Sequence, residues 1–125
     1  MPDALPPTRP STVLIVDDNE DVRRLLVDYA TMLESEVLEA SNGLEALWIV
    51  KHRRPELVLL DLTMPRLGGY ETIRHIRKFD PRIRIVVITG DATEQTRREV
   101  GRLGLELLIK PIDLRALDAL FRGSP

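Results

Sequence analysis

The stretch Leu57-Val58-Leu59-Leu60-Asp61-Leu62-Thr63-Met64-Pro65 constrains the fold of this chain more than any other. A short apolar run without alternation reads as a strand buried on both faces, and such strands belong to parallel sheets covered by helices. A buried strand cannot keep a charge in its middle, so Asp61 is expected at the C-terminal end, where open α/β sheets form their ligand crevice. There the carboxylate is both rigidly held and reachable. Taken alone, an acid after an apolar run is more often a turn or cap residue, so the other strand ends have to decide its role.

Thr12 to Val16 is a second apolar, β-branched run, and it also ends in acid, Asp17-Asp18-Asn19-Glu20-Asp21. A helical pattern follows through Val22, Leu25, Leu26, Tyr29 and Leu33. Ser35 to Ala40 alternates as a strand does, Ser41-Asn42-Gly43 breaks the chain, and Leu44, Leu47, Trp48 and Val50 mark the next amphipathic helix, closed by Pro55. Trp48 is read as core packing or as a boundary residue with its N–H toward water. Beyond the Asp61 strand, Tyr70, Ile73, Ile76 and Phe79 make a helical stripe ended by Asp80-Pro81. Ile83 to Ile88 is a fourth strand that finishes in Thr89-Gly90-Asp91, ahead of a polar helix over 93–103. A last strand, Leu105 to Ile109, leads into Lys110-Pro111 and a helix over 113–121.

Five strands alternating with five helices imply a doubly wound α/β fold, a five-stranded parallel sheet crossed right-handedly. The strongly apolar first, third and fourth strands should be central and the other two edges, giving the flavodoxin-like order 2-1-3-4-5. Residues 12–122 form one expected domain, with a proline-rich leader or linker over 1–11 and a tail over 123–125. Without a cysteine in the chain, disulfides, thiol catalysis and thiolate metal sites are excluded. The net charge of -2 gives no reason to expect nucleic-acid binding or membrane attachment. No apolar run nears bilayer length and residues 1–11 lack the apolar stretch of a signal peptide, so the cytoplasm is the expected compartment.

In the order 2-1-3-4-5 the C-terminal ends of strands one, three, four and five converge, bringing Asp17, Asp18, Asp61, Thr89 and Lys110 into one crevice. Three neighbouring carboxylates repel, and a hard divalent cation, Mg²⁺ or Mn²⁺, relieves the repulsion through oxygen ligation. An ammonium from Lys110 and a hydroxyl from Thr89 suit the oxygens of a transferring phosphoryl group. Asp61 is then the expected nucleophile, forming an aspartyl phosphate.

Over residues 12–122 the sequence closely resembles the receiver domain of two-component response regulators. The resemblance rests on Asp17-Asp18 after strand one, on Asp61-Leu62-Thr63-Met64-Pro65 with Gly69 following, on Thr89-Gly90, and on Lys110-Pro111. It implies that Asp17, Asp18, Asp61 and the backbone carbonyl of Thr63 hold Mg²⁺. It further implies that Asp61 accepts a phosphoryl group from a histidine kinase or histidine phosphotransfer protein, and that Thr89, Gly90 and Lys110 form the phosphoryl site. A cis Lys110-Pro111 peptide bond and an output domain or partner protein also follow from the resemblance. Its only chemistry would be its own phosphorylation and dephosphorylation. Three departures bear on output. Leu107 stands where the family usually places a switch aromatic, the Gly104-Leu105-Glu106 turn is short, and Glu34-Ser35 replaces a frequent glycine and aromatic.

Two other readings are open. An Asp-nucleophile phosphatase of the haloacid-dehalogenase type needs a second acid two residues after the nucleophile, where this chain has Thr63. A degenerate, purely structural receiver-like module would have lost an acceptor, metal or lysine position. Each site residue also has a plain reading: Asp17-Asp18 as a cap of the first helix, Asp61 as a turn starter, Thr89 as a cap of the fourth helix, Lys110 as a solvated charge. The basic clusters at 74–78 and 97–98, and His52 and His75, are read as solvated helix faces.

Overall fold

The computed structural model describes residues 10–64 and 67–122, so Pro65, residues 1–9 of the expected leader and the tail over 123–125 fall outside the described residues. Five strands, β1 (Thr12–Val16), β2 (Glu36–Ala40), β3 (Leu57–Asp61), β4 (Arg84–Thr89) and β5 (Glu106–Ile109), alternate with five helices. The helices are α1 (Glu20–Met32), α2 (Gly43–Arg53), α3 (Gly69–Phe79), α4 (Glu94–Arg102) and α5 (Leu114–Phe121). All pairings are parallel and the strand order is β2-β1-β3-β4-β5, as the hydrophobic pattern implies.

Alternation along each strand divides the core in two. Leu14, Val16, Val58, Leu60, Ile85 and Val87 point toward α2, α3 and α4, whereas Val13, Ile15, Leu57, Leu59, Val86 and Ile88 point toward α1 and α5. Every residue of β3 is buried, the signature of a strand covered on both faces. α1 and α5 are lashed together where the Tyr29 hydroxyl donates to the Asp118 carboxylate and the Tyr29 ring meets Phe121 edge-on at 5.3 Å. Burial, with the carboxylate beside it, pushes the Tyr29 phenol up to about 12.

Helix starts follow side-chain chemistry. Asn19, Asn42, Thr93 and Asp113 cap α1, α2, α4 and α5 by accepting from backbone N–H groups that have no partner inside the helix. Capping of α1 by Asn19 and of α4 by Thr93 leaves Asp17, Asp18 and Thr89 free of that duty. Pro10 and Ser11, assigned to the leader on sequence, are tied in: the Pro10 carbonyl accepts from Ser35 Oγ at 2.8 Å and the Ser11 carbonyl from the Glu36 amide at 2.7 Å.

The expected apolar stripe of α2 needs correction. Gly43, Ala46 and Val50 are the buried positions, and Trp48 and Leu44 point outward, 62% and 53% exposed. The small residues let α2 approach its neighbours closely. A Cβ on Gly43 would lie 2.3 Å from Thr72 Oγ1 of α3, so bulk is displaced to the outer face.

At the α1–β2 turn, where the receiver family that the sequence resembles often has glycine, Glu34 adopts the left-handed φ of 67°. A side chain in that region is strained by roughly 1–2 kcal/mol, partly offset by the greater unfolded-state freedom of glycine. Glu34→Gly is therefore expected to stabilise the protein by about 0.5–1 kcal/mol, read as a higher urea midpoint at unchanged m-value.

Candidate functional site

Strand register builds the site. Val16 pairs with Leu60 and Thr89 with Ile109, so the residues that follow, Asp17, Asp61 and Lys110, emerge side by side at the C-terminal edge of the sheet. The amide of Leu62 donates to the Ile88 carbonyl at 3.1 Å and that of Lys110 to the Thr89 carbonyl at 2.8 Å, extending the ladder into the loops. Gly69 completes the frame, because a Cβ there would lie 2.6 Å from the Leu62 Cα, and only glycine lets α3 start this close to the Asp61 loop.

Asp17, Asp18 and Asp61 each offer a carboxylate oxygen, and these oxygens lie within 4.8 Å of one another. Asp17 is fully buried and Asp61 nearly so, while Asp18 is exposed. Asp17 Oδ1 accepts from the Asn19 amide at 2.9 Å, which turns Oδ2 into the crevice. Lys110 Nζ stands 3.1 Å from that Oδ2 and 3.5 Å from Asp61 Oδ2. The ammonium is the counter-charge to Asp17 Oδ2, which is buried and has no other polar partner among the described residues. Burial raises the Asp61 carboxyl above the usual range and the Asp17 charge adds to this, against the lowering by the Thr63 amide, which donates to Asp61 Oδ1 at 3.2 Å, and by Lys110. For Lys110 burial works downward, but pairing with Asp17 and Asp61 outweighs it and the ammonium is held charged.

Three carboxylates against one ammonium leave the crevice two negative charges in excess. A buried carboxylate oxygen whose one counter-charge is shared with Asp61, within an all-oxygen cluster, fits a hard divalent cation, which prefers carboxylate ligands and retained waters.

Thr89 is buried at the end of β4, and its Oγ1 accepts from the Asp91 amide at 3.0 Å. Gly90 is exposed, and a Cβ there would meet nothing within 4 Å, so approach from solvent is open. The Lys110-Pro111 bond is cis. All the expected side chains thus share one end of the sheet. Sequence reasoning missed Arg23, whose Nη1 donates to the Asp17 carbonyl at 2.7 Å while Nε pairs with Glu39 of β2 at 3.1 Å. This clamp steadies the β1–α1 turn. Its one signal was a position a turn and a half beyond the acidic pair.

Residues 13–122 match the sequence model of the family described as response regulator receiver domain. Sporulation initiation phosphotransferase F of Bacillus subtilis is 36% identical over 90% of this chain and 93% of its own length. The probable transcriptional regulator ycf27 of Porphyra purpurea is also 36% identical, over 89% of this chain. The match spans only 46% of that relative, so the chain covers about half of such longer regulators. A chain in the co-crystal structure of the Saccharomyces cerevisiae histidine phosphotransfer signaling protein Ypd1 with the receiver domain of its downstream response regulator Ssk1 superposes with a TM-score of 0.82. That match has 28% identity and covers 90% of this chain and 88% of the other.

Magnesium chloride is expected to raise the thermal unfolding midpoint, by mass action amounting to about 2.7 kcal/mol at a hundredfold excess over the dissociation constant. Asp17→Asn should remove most of this gain, and an unchanged wild-type midpoint at saturating metal would count against a cation site.

Proposed function

Because the chain belongs to the response regulator receiver domain family of two-component signalling, we propose that Asp61 is its phosphoacceptor and that its one reaction is its own phosphorylation and dephosphorylation. The observation that carries this reading is the buried Asp61 carboxylate at the end of β3, within reach of the Lys110 ammonium and flanked by Asp17 and Asp18. The donor is a phosphohistidine on a histidine kinase or phosphotransfer protein. An Asp61 carboxylate oxygen forms the bond to phosphorus as the bond to the donor's imidazole nitrogen breaks, with attacking and leaving atoms in line. Lys110 and the Thr89 hydroxyl then hold phosphoryl oxygens, and the open surface at Gly90 leaves room for the donor. Asp17, Asp18, Asp61 and the Thr63 carbonyl would hold Mg²⁺, which when bound neutralises charge on the transferring group. Charge neutralisation of this kind is what a crevice with two surplus negative charges otherwise lacks. As for location, no helix among the described residues is long and apolar enough to cross a membrane.

The phosphatase alternative lacks its acid, since Thr63 stands two residues after Asp61 and is exposed. A degenerate module is disfavoured because acceptor, acids and lysine are all present and adjacent.

Output passes through the β4–α4 loop. Leu107 packs into the core beneath α2, α3 and α4 and has neither the ring nor the hydroxyl of the family's usual switch aromatic. Thr89, by contrast, is bonded to the Asp91 amide, and Asp91 in turn binds the Thr93 amide at 2.9 Å and the Thr96 hydroxyl at 2.7 Å. Drawing the Thr89 hydroxyl toward a phosphoryl oxygen exchanges a neutral hydrogen bond for a charge-assisted one and releases the first link of this chain.

Incubation with a small phosphodonor and Mg²⁺ is expected to label Asp61, and Asp61→Asn to abolish labelling, as read by intact mass. Lys110→Ala should weaken retention of the phosphoryl group, whereas full labelling of Asp61→Asn would place the acceptor elsewhere. Hydrogen exchange with and without a fluoroberyllate phosphate mimic should change over residues 89–98, and silence there would exclude the loop route.

A further inference from the structure

The outer face of α2 carries a feature that the phosphoryl crevice does not use. With Gly43, Ala46 and Val50 against the protein, Leu44, Trp48, Lys51 and His52 fall on one helical stripe facing solvent. The His52 ring stacks on the indole of Trp48 at 4.1 Å between centroids and 22° between planes. His52 Nδ1 is also 2.7 Å from the Trp48 carbonyl, so this nitrogen donates and the ring is fixed at both ends. An exposed tryptophan held in this way has less conformational freedom to lose on association than a free one.

The surroundings are basic. α3 packs beside α2, and Lys51, Arg74 and Lys78 are exposed with no ion pair or hydrogen bond to their side chains among the described residues. Arg53 and Arg54, by contrast, are engaged by Glu36 and Asp80. The acids of these two helices, Glu45 and Glu71, sit in their first turns, and Glu45 is occupied by the Ser41 amide. In a chain of net charge -2, this face therefore has the opposite sign to the whole.

We propose that the α2–α3 face, centred on the Trp48–His52 stack, docks an acidic amphipathic segment of a partner protein. The apolar stripe of that segment covers Leu44 and Trp48, and its carboxylates meet Lys51, Arg74 and Lys78. Ridge spacing of i, i+4 and i+8 is that of helix-on-helix recognition. A nucleic acid fits less well, because three free cations are few beside the roughly 6–10 phosphate contacts of a typical binder and the rest of the molecule repels a long polyanion.

Trp48 is the sole tryptophan, so intrinsic fluorescence reports this surface directly. The probe is a short helical peptide with a leucine stripe flanked by glutamates, beside a control with glutamine for every glutamate. The glutamate peptide should produce a saturable blue shift that weakens with salt, and the control none. By anisotropy of labelled peptide, Trp48→Ala should weaken binding at least about tenfold, as loss of a central aromatic anchor does. Lys51→Glu with Lys78→Glu should also weaken it. Both positions are solvent-exposed, so unchanged urea midpoints and unchanged Asp61 labelling would show that fold and crevice are intact in the variants. No saturable shift, equal binding of the glutamine control, full affinity in Trp48→Ala, or tighter binding of a single-stranded oligonucleotide would each overturn the proposal.

Discussion

Parallel register between β1 and β3 is the constraint on which the rest depends. Val16 pairs with Leu60, so each strand delivers its acid at the same level, and β4 and β5 add Thr89 and Lys110 by the same ladder. Side chains alternate along a strand, so a slip of one residue would turn Leu14 and Val16 to the wrong layer and carry Asp17 out of reach of Asp61. Hydrophobic burial on both faces holds the register, and the register holds the site.

Electrostatics leave this site short of positive charge. Asp17 is fully buried, Asp61 is raised by burial and by that neighbour, and one lysine is set against three acids. Taken alone, each feature is unfavourable for folding. Together they leave a crevice with more negative charge than its own lysine balances. The surrounding framework is correspondingly rigid: Asn19 and Arg23 grip the two ends of the Asp17 residue, and Gly69 brings α3 against the Leu62 backbone.

The acidic crevice at the C-terminal end of the sheet and the α2–α3 face divide the surface by chemistry. One is acidic and built from strand ends. The other is basic and built from helix positions left outside when α2 docked through its small residues. The β4–α4 loop lies beside the first, where Asp91 links Thr89 to the start of α4.

The sequence by itself determined the sheet order and the membership of the crevice. Apolar runs of the kind seen at 13–16, 57–60 and 85–88 are long enough and uniform enough to name central strands, and a parallel fold leaves their C-terminal ends only one place to meet. Helix caps were less legible: Asp17-Asp18 and Thr89 offered the same capping chemistry on sequence, and the structure gives the duty to Asn19 and Thr93 instead. Tertiary structure alone decided which side of α2 is inside. Its apolar residues surround the helix too evenly for periodicity to choose, and close packing on Gly43 and Ala46 sent Trp48 to solvent. Tertiary structure also recruited Arg23, whose partners, a main-chain carbonyl and a carboxylate on another strand, leave no trace in local pattern. Periodicity records how a segment meets a surface; it does not record which surface is near enough to exclude a large side chain.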